Sequence, residues 1–365
     1  MLFSSLSAQA ALLSLFAATS PYVSATPLKR ASVCNGYSEL CSRSFGNVTF
    51  VGAHDSYAVG ATNLAANQDY NVTQQLTDGI RMLQNQAHSA SDGSIHLCHT
   101  DCLLYDAGTL QAYLTSVKSW MDANPNEVVS ILLVNINNLA ASAFGSVFQS
   151  AGLVPMSYVP TSTPMTTSQW PSLGSMIDAG TRLVTFMDNG ANDTNFPFLI
   201  PEFGNIWETA FDVTDPSFSC AINRSQGDTS QQMYLINHFL DATTDIAGFG
   251  VPAPAKDQLN VTNAQSGPGS LGQQAADCIA QYSAPPNFML VDFYEYGQGS
   301  VFDVAANLNG VAAPTNSIAP PIINATSSSS SSGSSNGALT DFRGSGRVTG
   351  LALFTGFLVG IWTVS

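Results

Sequence analysis

The sequence predicts an α/β domain built on a closed parallel barrel. Three observations carry this. Short β-rich apolar runs recur from residue 48 to residue 293. Helical segments lie between them, which is the pattern of parallel strands joined by crossovers. The span 34–310 is an ordinary length for one barrel.

In chain order, Val48–Ala53 reads as the first strand and Ile80–Asn85 as the second. Leu110–Ala123 has helical spacing, with Leu110, Leu114, Val117 and Met121 on one stripe. Asn124-Pro125-Asn126 ends that helix. Val128–Asn135 and Arg182–Met187 are buried-type strands. Ile206–Phe211 supplies a further strand, followed by Tyr234–Asn237 and Phe288–Phe293. Barrel chemistry gathers at the C-terminal strand ends. His54, Gln84, Gln86, Asn135, Asp188, His238 and Asp292 fall there.

The ends of the chain read differently. Residues 1–25 fit a secretory signal peptide, with an apolar stretch and a small-x-small site at Val23-Ser24-Ala25, although the usual early positive charge is absent. Residues 26–33 form a short propeptide if processing follows Lys29-Arg30. Residues 311–336 read as a Ser/Pro-rich stalk, too poor in apolar surface to fold. Residues 337–365 combine a polar spacer with an uncharged apolar tail, the order of a GPI-anchor signal that is removed, with attachment at Asn336. The competing reading is a transmembrane helix, but no basic residue follows the tail. The expected location is the cell surface or cell wall, with GPI anchoring to the plasma membrane.

Charge bounds the partners. The 365 residues carry a formal net charge of −15. Residues 31–336 hold only Arg43, Arg81, Lys118, Arg182, Arg224 and Lys256 against 24 acidic residues. That excludes nucleic acid and simple docking on anionic lipid. The same field repels anionic phosphodiesters. A monomer is expected. Cys34, Cys41, Cys98, Cys102, Cys220 and Cys278 survive processing, an even count that in a secreted chain suggests disulfides. Six cysteines allow fifteen connectivities. Sequence proximity favours Cys34–Cys41, Cys98–Cys102 and Cys220–Cys278. The alternative is zinc on His96, Cys98, His99 and Cys102. Sequons stand at Asn47, Asn71, Asn192, Asn223, Asn260 and Asn324. A glycan on Asn47, just before the first strand, belongs at the rim away from the chemistry.

Two histidines end apolar runs: His54 in Val51-Gly52-Ala53-His54-Asp55-Ser56, and His99 in Ile95-His96-Leu97-Cys98-His99. Two imidazoles on neighbouring strand ends can serve one phosphodiester as general base and general acid. Gly52-Ala53-His54-Asp55-Ser56 resembles the Gly-Thr-His-Asp-Ser signature of the phosphatidylinositol-specific phospholipase C X-domain superfamily. Asp78-Gly79-Ile80-Arg81 resembles that family's second strand, and Phe288-Met289-Leu290-Val291-Asp292 its last. The likeness spans roughly residues 34–310 and is nearest to fungal surface-anchored members.

The resemblance implies a distorted (β/α)8 TIM barrel of the phosphodiesterase type. It implies His54 as base, His99 as acid, Asp55 assisting at the leaving group and Asp292 orienting His54. The substrate it implies is a phosphodiester lipid or glycolipid. The sequence departs from the family at strand two. Gln84 and Gln86 stand where relatives carry a phosphate-compensating arginine or acidic calcium ligands. No metal and no cofactor is therefore expected. Gln84, Gln86, His88, Asn135 and His238 are the candidate substrate-binding residues. Two other functions compete: a catalytically inactive barrel serving as a cell-wall or adhesion glycoprotein, and a glycoside hydrolase using Glu208 and Glu295.

Overall fold

The computed structural model describes residues 30–323, apart from Asn192 and residues 247 and 248. The expected signal peptide, Asn192, Asn324, Asn336 and the expected GPI-anchor signal therefore lie outside the described residues. The centre of the fold is a sheet of eight parallel strands. They are β1 (Phe50–Ala53), β2 (Met82–Ser89), β3 (Val129–Asn135), β4 (Leu183–Met187), β5 (Leu199–Pro201), β6 (Ile206–Glu208), β7 (Met233–Asn237) and β8 (Phe288–Val291). Their order is β5-β4-β3-β2-β1-β8-β7-β6. No pairing joins β5 to β6 among the described residues, so the curled sheet keeps an open seam. Seven of these strands overlap the expected ones; Leu199–Pro201 was not expected, and the barrel is not closed. The four-residue helix Glu202–Asn205 between those strands is too short for a full crossover.

Side-chain alternation makes two cores. Phe50, Met82, Leu132, Phe186, Leu235 and Phe288 fill the barrel interior. Gly52 belongs to that face, and a Cβ there would meet Leu290 at 2.5 Å. Val51, Leu83, Ile131, Tyr234 and Met289 face the outer helices. The helix Leu110–Ala123 is capped by Thr109, whose side chain accepts from the Ala112 N–H. Its Leu110, Leu114, Val117 and Met121 are fully buried, each contributing about 2 kcal/mol.

Two antiparallel segments also escaped the sequence reading. β2 runs on into an antiparallel extension with Ile95–Cys98 and Asp106–Thr109, which carries His99. A second hairpin pairs Asp241–Ile246 with Phe249–Pro254. A third departure concerns the stalk. Residues 311–323 lie against the barrel as a strap. Ile318 packs on the core, Tyr70 Oη donates to Pro320 O (2.6 Å), and Ile322 N donates to Asp69 Oδ2 (2.8 Å).

Candidate active site

The C-terminal ends of β1 and β8, together with the hairpin after β2, bring three residues into one cluster. After each of them the chain turns sharply. Asp55 (φ 37°), Thr100 (φ 61°) and Phe293 (φ 44°) directly follow His54, His99 and Asp292. Side chains avoid this left-handed region, and it concentrates at functional sites. Gln84 Oε1 accepts from the Asp55 N–H (2.7 Å), and His54 N–H donates to Val291 O (3.0 Å), so both neighbouring strands fix the first turn.

His54 Nδ1 donates to Asp292 Oδ1 at 2.9 Å. Asn67 Nδ2, 3.2 Å from the same ring nitrogen, donates to both oxygens of that carboxylate (3.1 and 3.2 Å). The His54 ring stacks on Phe239, centroids 3.6 Å apart. His99 Nδ1 donates to Ala65 O (2.6 Å), because a carbonyl can only accept. Both rings thus turn Nε2 towards Asp55 Oδ2, at 3.8 Å from His54 and 3.5 Å from His99. These two legs, 3.8 Å and 3.5 Å, cap the Nε2–Nε2 separation at about 7.3 Å. Gln86 Nε2 donates to the same Oδ2 (2.9 Å).

Burial pulls the His54 pKa down, but the charges of Asp55 and Asp292, the Asp292 hydrogen bond and the Asp241 charge outweigh it and lift it to about 9. Burial raises the Asp55 carboxyl, and the two imidazoles oppose that rise. Asp241, which the sequence reading missed, joins this group. Burial and the Asp292 charge push it up to about 7. Lys256, also missed, sits over the Phe293 ring (4.4 Å) and donates to Ala61 O and Asn63 O at 3.3 Å.

The substrate-binding candidates divide by side-chain parity. Gln84, Gln86 and His88 share the interior face of β2 with Met82. Gln84 and Gln86 shape Asp55, and buried His88 has no partner at Nε2. Asn135 and His238 are corrections. Asn135 has the parity of Ile131 and Leu133 and binds Leu139 through both ends of its amide. His238 has the parity of Tyr234 and Ile236. Its Nδ1 meets Gln274 Oε1 (2.7 Å), its Nε2 meets Thr262 O (2.8 Å), and burial lowers its pKa to about 4. Neither is free to bind substrate. Arg81 pairs with Glu127 on the helix-facing side (2.7 Å).

The disulfides are Cys34–Cys41, Cys98–Cys102 and Cys220–Cys278, the pairing that proximity favoured. The zinc alternative fails, because Cys98 and Cys102 bond each other and His96 pairs with Asp106 (2.9 Å). The Glu208–Glu295 pair fails too. Glu208 is bound to Arg224, while Glu295 is buried among the charges of Asp69 and Asp78. Among the described sequons, Asn47, Asn71, Asn223 and Asn260 are exposed.

Comparison with known proteins shows the family of the chain. The family model for the PI-PLC X domain (PI-PLC X 1) matches residues 40–309. A protein of Arthroderma benhamiae named "PI-PLC X domain-containing protein 1" is 39% identical over 292 residues, covering 79% of this chain and 93% of its own. An "Uncharacterized secreted protein" of the same fungus is 45% identical over 284 residues, 76% of this chain. The match spans 64% of that relative's length. Among solved structures, the phosphatidylinositol-specific phospholipase C of Listeria monocytogenes is similar at 15% identity, with a TM-score of 0.48 over 73% of this chain and 95% of its own. On the extent of the family match and the identity to its fungal relatives, this chain belongs to the PI-PLC X-domain family.

Proposed function

We propose that this protein is a metal-independent phosphoric diester hydrolase or lyase, secreted and held at the cell surface. One observation carries the reading: two imidazoles, each fixed through Nδ1, converge through Nε2 on one buried carboxylate oxygen. A phosphodiester oxygen entering between them meets both. His54 Nε2 takes the proton of a hydroxyl beside the phosphodiester. That oxygen attacks phosphorus, the ester bond to the leaving oxygen breaks, and a cyclic phosphate forms. His99 Nε2 gives its proton to the leaving oxygen. Asp292 holds His54 in the required tautomer.

His54 must lose its resting proton first. With a pKa of about 9, about 1% of molecules carry the base form at pH 7. Turnover therefore rises with pH towards that value. Export is supported by the secreted relative's name, by three disulfides and by the exposed sequons. Anchoring rests on the C-terminal sequence signal.

A second reading, an inactive barrel with a wall or adhesion role, is favoured by one observation. Among the described residues no lysine or arginine forms an ion pair with Asp55, Asp241 or Asp292. The site is thus short of the charge that stabilises a phosphoryl transition state. The test is turnover of a fluorogenic inositol phosphodiester by the secreted protein, beside a His54→Ala, His99→Ala variant, with and without chelator. Turnover lost in the variant and kept with chelator supports the enzyme. Equal signals from both proteins favour the inactive barrel.

A further inference from the structure

At the opposite end of the barrel, a cleft of about 730 Å³ opens beside the starts of β7, β8 and β1. None of its 17 lining residues is charged. In a chain of net charge −15, this lining offers an ionic ligand no charged partner. What the cleft offers is hydroxyl and amide groups, from Ser168, Thr229, Ser230 and Gln281, and aromatic surface. Tyr282 is half-buried at its wall, 4.7 Å from the Trp207 ring, and Tyr234 stacks beneath. Polar uncharged donors and acceptors beside aromatic faces suit a neutral polyhydroxylated ligand. The neighbouring cleft of about 310 Å³, by contrast, carries Asp78 and Arg81 and is bordered by residues 311–316 of the strap.

The same cleft holds a sequon. Asn47, in Asn47-Val48-Thr49, is exposed and is itself part of the lining. A glycan joined to it starts inside the cleft, where tethering supplies a high effective concentration. We infer that the cleft is the seat of the protein's own Asn47-linked glycan, whose first sugars pack between the Ser168 and Tyr282 walls. The barrel's floor is thereby covered by carbohydrate, on the end away from His54.

The test uses the full chain secreted from yeast. Site occupancy is read by glycopeptide mass spectrometry, and endoglycosidase H digestion is timed at each sequon, native and denatured. The expected result is an occupied Asn47 trimmed about tenfold more slowly than Asn223 in the native protein and equally fast after denaturation; tenfold corresponds to about 1.4 kcal/mol of packing. Ser168→Arg, which places a long side chain on the exposed lip, should abolish the protection. An unmodified Asn47, or native trimming as fast as at Asn223, overturns the inference. An unmodified Asn47 in a protein whose melting temperature rises with added neutral oligosaccharide also overturns it, and assigns the cleft to a free saccharide.

Discussion

Replacing Asp292 by Asn tests the electrostatics of the site without requiring that a substrate be known. The change keeps the side chain's shape and removes one charge 2.9 Å from His54 Nδ1. In the intact protein the His54 pKa rises from 6.5 to about 9, a lift of about 2.5 units, worth roughly 3 kcal/mol. Asp55, Asp292 and Asp241 share that lift and also overcome burial. Asp292 supplies both a charge and the hydrogen bond, so its removal should lower the value by about 1–2 units. The sign for stability follows. The folded pKa lies above the unfolded one, so this contribution is fully present below pH 6.5 and is lost as pH rises through 9. Asp292→Asn should thus destabilise by roughly 1–3 kcal/mol at pH 6 and little above pH 9. The assay is NMR titration of labelled histidine, with urea unfolding at both pH values. A wild-type His54 titrating near 6.5, or a variant with an unmoved titration, would refute the reasoning.

Two further outcomes are expected. Burial, with the charges of Asp69 and Asp78, raises the Glu295 pKa from 4.5 to about 9. Its contribution is full below pH 4.5 and declines as pH climbs towards 9. Glu295→Gln should therefore gain about 3 kcal/mol over wild type at pH 7 and almost nothing at pH 4.5; equal effects at both pH values in urea unfolding would contradict this. The two disulfides with different loops should also separate. Cys220–Cys278 closes a separation of 58 residues, so its double serine variant should lose about 4 kcal/mol and leave the His99 resonances in place. Cys98–Cys102 closes a separation of 4, so its variant should lose about 2 kcal/mol and shift the His99 resonances. Unmoved His99 resonances in the second variant would show that the bridge does not brace that loop.

The barrel was readable where apolar runs were long and followed by turns. The cores of β1, β3, β4, β7 and β8 came from apolar β-rich runs, and the buried stripe of the Leu110–Ala123 helix from its spacing. The three-residue Leu199–Pro201 strand was not readable, because it is too short for a period and ends in proline. The hairpins escaped because Asp106–Thr109 and Asp241–Ile246 lack apolar alternation; tertiary pairing makes them strands. At the site, His54, His99, Asp55 and Asp292 could be named because a short motif and its spacing mark them. Asn135 and His238 were misjudged for a definite reason. Position at a strand end was weighed, but the face set by alternation was not. Asp241 and Lys256 reach the cluster through long-range folding, which no local pattern records.

The unclosed seam has a consequence for solubility. A sheet that fails to close has two edges, and unpaired strand edges invite other chains to add to them. Here each edge strand has only three residues. Pro201 has no amide hydrogen to offer, and Leu199, Ile200 and Ile206 are all but fully covered. An incoming strand finds almost no backbone group to register on. The barrel can therefore stay incomplete without becoming a template for aggregation.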